Sequence, residues 1–313
     1  MIPIPSPNPP SRTGLVESGG RDLEYIVEGR GPDALVIGSA RFHARTFSPA
    51  LRRRLRLAFG DHLGFAPTYP APPAATLDRL TADIEALRSD LVLDRPILIG
   101  HSVHGFMAIE YARRHPDRVS RVVLISTPPA QTATMCALSN ARWAALAPAA
   151  RKARYARDTA SLAEAIAAEP HRRLMLVNRK MAARAFRDFT YDPGDLWLDV
   201  VADQDAQDQL WGSVFLDYDA VAALAELRCP VLIVMGQLDY LMPPAEAWLP
   251  RVGDMPHVEL RILERSGHYP QLEDAAAFDG LLLGWLADQG RGETCGRSQV
   301  EPAAPSRSTR ASR

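Results

Sequence analysis

Short apolar runs rich in Val, Ile and Leu occur at residues 23–27, 34–38, 55–60, 96–100, 121–126, 230–236 and 258–263, and from about residue 75 onward helical patterns separate them. This alternation restricts the fold more than any other feature of the chain. Adjacent parallel strands cannot be joined by a tight turn and need a crossover of about a dozen residues, usually a helix. Strands that read as unbroken apolar runs are covered on both faces. The expectation is therefore an α/β domain with a mostly parallel sheet and helices on both faces. The clearest covering helix carries Leu77, Leu80, Ile84, Leu87 and Leu91 at three- and four-residue spacing, which sets five apolar side chains on one face just before the strand at 96–100. Segments 222–227, 245–249 and 275–286 read as further helices, the last closing the domain near Trp285.

Between residues 128 and 217 the alternation stops. Ala- and Arg-rich helical sequence replaces it, punctuated by Trp143, Tyr155, Phe186, Phe189, Tyr191, Trp197, Trp211 and Phe215, and strand signals return only at Cys229. The economical reading is a helical lid at 128–217, inserted between strands 6 and 7 over the carboxyl ends of the strands, where loops line the ligand crevice of open α/β sheets. Most of its aromatic residues are expected to form its own core and a minority to face a pocket. The core domain is then split into 13–127 and 218–289. The proline-rich start, 1–12, and the tail 290–313, rich in Arg, Ser, Pro and Gly, read as disordered.

Charge narrows the partners. A formal net charge of −1 and a pI near 6.7 supply no basic field to neutralise phosphates, so no nucleic acid is expected. No apolar run has membrane-spanning length, and the first residues lack a basic segment followed by an apolar one, so neither a membrane partner nor secretion is expected. Cys136, Cys229 and Cys295 are widely spaced without a CxxC pair, which argues against a disulfide framework or zinc site and fits a cytoplasmic protein. The expected partner is a small-molecule substrate, with no cofactor and no metal, in a monomer or homodimer.

The strand at 96–100 leads directly into Gly100-His101-Ser102-Val103-His104-Gly105, and a helix-like stretch follows. A serine at a sharp strand-to-helix turn has its hydroxyl lifted clear of the sheet, with the first N–H groups of the helix aimed at what it attacks. The hydroxyl is a weak nucleophile until a base takes its proton, and the base needs a carboxylate to hold its tautomer. Asp239 follows the strand at 231–236, and His268 follows the strand at 257–263. Three residues that each lie just past a strand's carboxyl end meet on one edge of a parallel sheet, in the chain order Ser102, Asp239, His268. No carboxylate follows the strand ending at Ser126-Thr127-Pro128, the other position available to the acid.

From Leu23 to Trp285 the chain resembles the α/β-hydrolase-fold serine hydrolases with a helical lid, in the broad group that includes proline iminopeptidase-like enzymes. The resemblance rests jointly on Gly100-His101-Ser102-Val103-His104-Gly105, Gly236-Gln237-Leu238-Asp239, Ser266-Gly267-His268-Tyr269-Pro270-Gln271-Leu272-Glu273, and Asp61-His62-Leu63-Gly64, where the family often has Asp-x-Arg-Gly. It implies acyl transfer with Ser102 as nucleophile, His268 as general base, Asp239 as its orienting acid, and an oxyanion hole that includes the Val103 N–H. The other donor comes from the loop after the third family strand, which usually carries His-Gly or His-Gly-Gly. Here the run is Ile37-Gly38-Ser39-Ala40-Arg41-Phe42-His43, and the spacing to Phe47 places Ala40 at the donor position, with Ser39 as the alternative. The glycine- and proline-rich oxyanion loop of proline iminopeptidases is missing, which argues against an aminopeptidase. A second departure is His104, where the GxSxG pattern has a small residue.

The bond cleaved stays open among ester, thioester, amide and C–C, and two other classes stand beside the hydrolase. One is a cofactor-free lyase or oxygenase that uses His268 as base without acylating Ser102; the other is a receptor or binding protein with residual hydrolysis. His101 is expected to pack. His104 either packs at the start of the elbow helix or reaches the pocket, and Tyr240 either borders the pocket or packs. Asp61 is expected to order the loop it opens, and Glu273 to cap or tie down the last helix. Arg151, Lys152, Arg154 and Arg157 read as a solvated helix face, the alternative being a cationic mouth for carboxylate-bearing substrates.

Overall fold

The computed structural model describes residues 11–66, 74–216 and 218–295. Its strands are β1 (Arg12–Ser18), β2 (Arg21–Gly29), β3 (Asp33–Gly38), β4 (Arg56–Asp61), β5 (Ile97–His101), β6 (Arg121–Ile125), β7 (Val231–Gly236) and β8 (Val258–Leu263). They form one sheet in the order β1-β2-β4-β3-β5-β6-β7-β8. β2 pairs antiparallel with β1 and β4, and every other pairing is parallel. The seven apolar runs of the sequence are β2 to β8. β1 lacks such a run because it is half-exposed, and what forms it is Gly19-Gly20, both at positive φ, closing a two-residue hairpin that pairs Ser18 with Arg21.

Two corrections concern the ends. β1 starts at Arg12, inside the stretch expected to be disordered, and the last helix, Ala275–Cys295, runs into the expected tail. The rest of those two stretches, 1–10 and 296–313, lies outside the described residues.

β3 pairs with β4 on one side and β5 on the other, so the chain reverses its direction of travel across the sheet there. The crevice of an open α/β sheet lies at the carboxyl ends of such a pair. On one face of the sheet pack helices Leu77–Asp90 and His104–Arg114, burying Leu80, Ile84, Leu87, Phe106 and Ile109. On the other face Phe47, Leu51, Phe278, Leu282 and Trp285 cover β3, β5, β6 and β7. Between β6 and β7 the described chain contains helices and no strand, including Ala133–Leu146, Ala149–Thr159, Arg173–Lys180 and Gln204–Gln209.

A buried ion pair ties this insertion to the antiparallel edge. Arg21 Nη1 lies 2.8 Å from Asp203 Oδ2, both side chains being about 1% exposed, and it also donates to Leu63 O at 3.0 Å. Asp203 in turn caps helix Gln204–Gln209 through Ala206 N and donates its own N–H to Gly64 O. Removing one partner of such a pair leaves an uncompensated buried charge. Asp203→Ala is therefore expected to lower unfolding stability by about 3–5 kcal/mol, read as a fall in the urea midpoint. A fall worth less than about 1 kcal/mol, the range of exposed pairs, would count against the pair as a structural tie.

Candidate active site

Ser102 occupies the turn between β5 and helix His104–Arg114 at φ +55. A non-glycine residue in that region costs roughly 1–3 kcal/mol and persists only where the surroundings over-determine it. They do so here. Ser102 N donates to Ile125 O at 2.8 Å, and Ser102 O accepts from Gly105 N at 3.0 Å and from Thr127 Oγ1 at 2.9 Å. Two glycines allow the helix to come this close: a Cβ on Gly100 would lie 2.5 Å from Gly105 Cα, and one on Gly105 would lie 2.2 Å from Thr127 Oγ1. The steric partner of Gly100 is thus Gly105, and position 104 is free to carry a ring. That accounts for the departure from GxSxG.

Asp239 leaves β7 in a tight turn. Its Oδ1 accepts from Leu241 N at 2.8 Å and Met242 N at 3.1 Å, while its Oδ2 lies 2.8 Å from His268 Nδ1. That contact places a proton on Nδ1 and leaves Nε2 as the basic nitrogen. Both peptide groups of His268 are also engaged: its N–H donates to Ala185 O at 2.6 Å, and its carbonyl accepts from His101 Nε2 at 2.8 Å. Ser102 and His268 line the same cavity of about 400 Å³. Among the described residues Ser102 Oγ makes no hydrogen bond, and neither does the Val103 N–H at the start of the elbow helix.

The loop after β3 differs from expectation. Ala40 N donates to Asp61 Oδ1 at 2.6 Å, so that expected donor is engaged, while His43 Nδ1 lies 2.9 Å from Ser39 O and 3.1 Å from Ser39 N. Ser39 caps the short helix Ala40–Ala44 through Phe42 N. Burial pushes the Asp61 carboxyl up to about 8 against the Ala40 N–H bond, which favours the ionised form.

The imidazoles of His43, His101 and His104 line the cavity, and that of His62 packs against His104. His104 sits 5.7 Å from His43 and 5.1 Å from His62, ring centre to ring centre, with Phe65 at 6.0 Å. Gly38, at φ +146, makes room for them, since a Cβ there would lie 2.2 Å from His43 Cε1 and 3.1 Å from His104 Nδ1. Burial lowers all four, to about 4 for His43 and about 3 for His62, and well below the usual range for His101 and His104. They are neutral at physiological pH. Among the described residues no cluster of His, Cys, Asp and Glu is arranged to hold a metal ion.

Other sequence-selected residues are placed elsewhere. His101 stacks on Tyr269 at 4.7 Å and props the His268 carbonyl while also lining the cavity. Tyr240 does not line it, because its ring is taken by the guanidinium groups of Arg142, at 4.9 Å, and Arg151, at 5.2 Å. Arg151 is neither solvated nor at a mouth: it is buried and donates to the carbonyls of Ala183, Phe186 and Arg187. Lys152 binds Ala144 O, and Arg154 and Arg157 pair with Asp158. Of the aromatic residues of the insertion only Trp197 and Trp211 reach the cavity. Sequence reasoning missed the main wall, Leu174, Val177, Asn178 and Met181. Their spacing of three, one and three is that of a single helix face, and this signal was available in the sequence.

A mostly parallel sheet with a strand–Ser–helix elbow at its switch point, and an Asp–His pair beyond later strands, defines the α/β-hydrolase class. Comparison with known proteins agrees. Residues 31–275 match the family described as alpha/beta hydrolase fold. The chain is 37% identical over 277 residues to the AB hydrolase superfamily protein YclE of Bacillus subtilis, covering 88% of this chain and 99% of that one. It is 23% identical over 284 residues to a 2-hydroxy-6-oxononadienedioate/2-hydroxy-6-oxononatrienedioate hydrolase of Cupriavidus pinatubonensis, covering 86% and 88%. Among solved structures, proline iminopeptidase from Mycobacterium smegmatis superimposes with a TM-score of 0.64 at 19% identity, over 88% of this chain and 98% of that one. The chain belongs to the α/β-hydrolase fold family.

Two outcomes follow from the elbow and its floor. Gly100→Ala drives a Cβ into backbone, so it should cost about 1–3 kcal/mol in thermal or chemical unfolding. Gly105→Ala, whose Cβ would lie 2.2 Å from Thr127 Oγ1, should cost a similar amount; unchanged stability in both variants would refute the close approach of the elbow helix. Because His43 and His62 are lowered in the folded chain to about 4 and about 3, the unfolded chain binds more protons below its imidazole pKa of about 6.5. Stability is then fully present above about pH 6.5 and falls toward pH 4, by about 1.4 kcal/mol per pH unit for each ring. Urea midpoints at pH 7.5, 6 and 5 measure this, and a flat profile would contradict neutral burial.

Proposed function

We propose that the protein is a serine hydrolase that cleaves a small, uncharged ester, thioester or amide through an acyl-enzyme. One observation carries the reading: Ser102, strained at positive φ, and His268, held by Asp239, open on one cavity. In this mechanism Ser102 Oγ attacks the acyl carbonyl carbon while His268 Nε2 takes its proton. Asp239 Oδ2 holds the Nδ1–H and stabilises the imidazolium. His268 then protonates the leaving group, and water enters by the same route to release the acid. The free N–H of Val103 donates to the oxyanion. Ala40 is the second donor in this reading, and its N–H reaches the oxyanion by parting from Asp61 Oδ1.

The cavity wall supports a neutral substrate. Among the described lining residues, histidines aside, the only charged side chains, Arg173 and Asp208, form an ion pair with each other, and Phe42, Phe65, Leu174, Val177 and Trp197 make most of the remainder apolar. The helices of 128–217 contribute that wall and act as the lid. Among the described residues no helix is long and apolar enough to cross a membrane. The free thiols of Cys136 and Cys229 support a cytoplasmic setting.

The likeness to a 2-hydroxy-6-oxononadienedioate hydrolase favours a second reading, C–C bond hydrolysis or lysis on the same residues. Labelling with an active-site fluorophosphonate, together with p-nitrophenyl esters of rising chain length, tests the first. Wild type should be labelled, and Ser102→Ala should be unlabelled with kcat lower by about 10⁴- to 10⁶-fold. Full turnover by Ser102→Ala, or no labelling of folded wild type, would sink the acyl-enzyme reading.

A further inference from the structure

Glu273 ends the short helix Pro270–Glu273 and is buried, yet it makes no ion pair among the described residues. Its carboxylate accepts three backbone N–H groups. Oε1 takes Gly267 N and Tyr269 N, each at 3.0 Å, and Oε2 takes Arg187 N at 2.5 Å. The first two donors flank His268 on either side. The third belongs to the helical insertion. Burying a carboxylate is costly unless its lone pairs are satisfied, so three N–H bonds drawn from two separate segments mark a junction and not a helix cap.

Other contacts lock the same junction. His268 N donates to Ala185 O at 2.6 Å. A Cβ on Gly267 would lie 2.1 Å from Ala185 O, and one on Gly236 would lie 1.8 Å from Gly267 O, so three backbones pass against one another with no side chain between them. On the acid's side, Tyr240 N donates to Arg184 O at 3.0 Å, Arg184 Nε donates to Tyr240 O at 2.9 Å, and Arg142 Nη1 donates to Asp239 O at 2.5 Å. The insertion is thus bonded to the loops of both Asp239 and His268 through residues 184–187.

We propose that residues 184–187 are a backbone strut for the Asp239–His268 pair, and that Glu273 is the positioning residue that clamps this strut to the His268 loop. The proposal rests on the reading of His268 as general base. It assigns the insertion two parts with different duties: the face carrying Leu174, Val177 and Met181 bounds the substrate cavity, and the segment after it holds the base in register. A base displaced by about 1 Å loses on the order of 10²-fold in rate, so the strut acts on the chemical step and leaves ground-state binding nearly untouched.

Two variants separate the clamp's halves. Glu273→Gln keeps one acceptor oxygen, which can serve Gly267 N and Tyr269 N together, and turns an NH₂ toward the Arg187 N–H, donor against donor. Only the link to the insertion breaks. Glu273→Ala removes both links. On a p-nitrophenyl ester, kcat should fall about tenfold in Glu273→Gln and on the order of 10²-fold in Glu273→Ala, with KM changed by less than about twofold and the fluorophosphonate labelling rate falling in parallel. Hydrogen exchange should quicken at 184–187 in both variants and at 267–269 only in Glu273→Ala. If Glu273→Ala does not fold, the near-isosteric Gln variant decides. Unchanged kcat in folded Glu273→Gln, a KM rise that accounts for the whole loss, or unchanged exchange at 184–187 would overturn the proposal. If wild-type Ser102 takes no label, the hydrolase reading has failed, and the exchange pattern alone still tests the strut.

Discussion

The contact between Gly100 and Gly105 is the constraint on which the rest of the site depends. With no Cβ on either residue, the first turn of helix His104–Arg114 packs onto the end of β5, and the turn between them can close only with Ser102 at φ +55. The strain is held by bonds from β6 and the loop after it, to Ile125 O and from Thr127 Oγ1, and by one from Gly105 N of the elbow helix. A serine exposed in this way faces the carboxyl edge of the sheet, toward the loops that follow β7 and β8. The parallel order of β5, β6, β7 and β8 therefore decides which distant residues meet it.

Around that point the polar groups are fixed by backbone to an unusual degree. One oxygen of Asp239 is given to its own turn and the other to His268, and both peptide groups of His268 are tied down. The imidazoles of His43, His62, His101 and His104 stay neutral because burial opposes their charge. Gly38 and His104 belong together in this arrangement. The missing side chain at the end of β3 opens the space that the rings of His43 and His104 occupy.

Much of this was legible in the chain and some was not, for identifiable reasons. Unbroken apolar runs marked β2 to β8, because a strand covered on both faces must be apolar on both. β1 escaped because its evidence was a hairpin glycine pair and half-exposed alternation. Ser102, Asp239 and His268 could be singled out because each follows a strand, and strand ends are local signals. Donor occupancy is not local: nothing in Ser39-Ala40 shows that Asp61 will engage the Ala40 N–H. Arg151 reads as a solvated helix face and Tyr240 fits pocket or packing equally, yet the two bury each other, since a guanidinium can be satisfied by carbonyls and an aromatic face supplied from another element.

The sequence by itself determined the α/β class, the order of the strands along the chain, and the position of a serine, an aspartate and a histidine after strands, because periodicity and turn chemistry act over a few residues. Only the tertiary structure decided which glycine contacts which, which N–H groups remain free, which face of the insertion lines the cavity, and that Glu273 joins the insertion to the His268 loop. Those outcomes depend on groups far apart in the chain competing for the same hydrogen bonds and the same buried space. Local pattern does not record that competition.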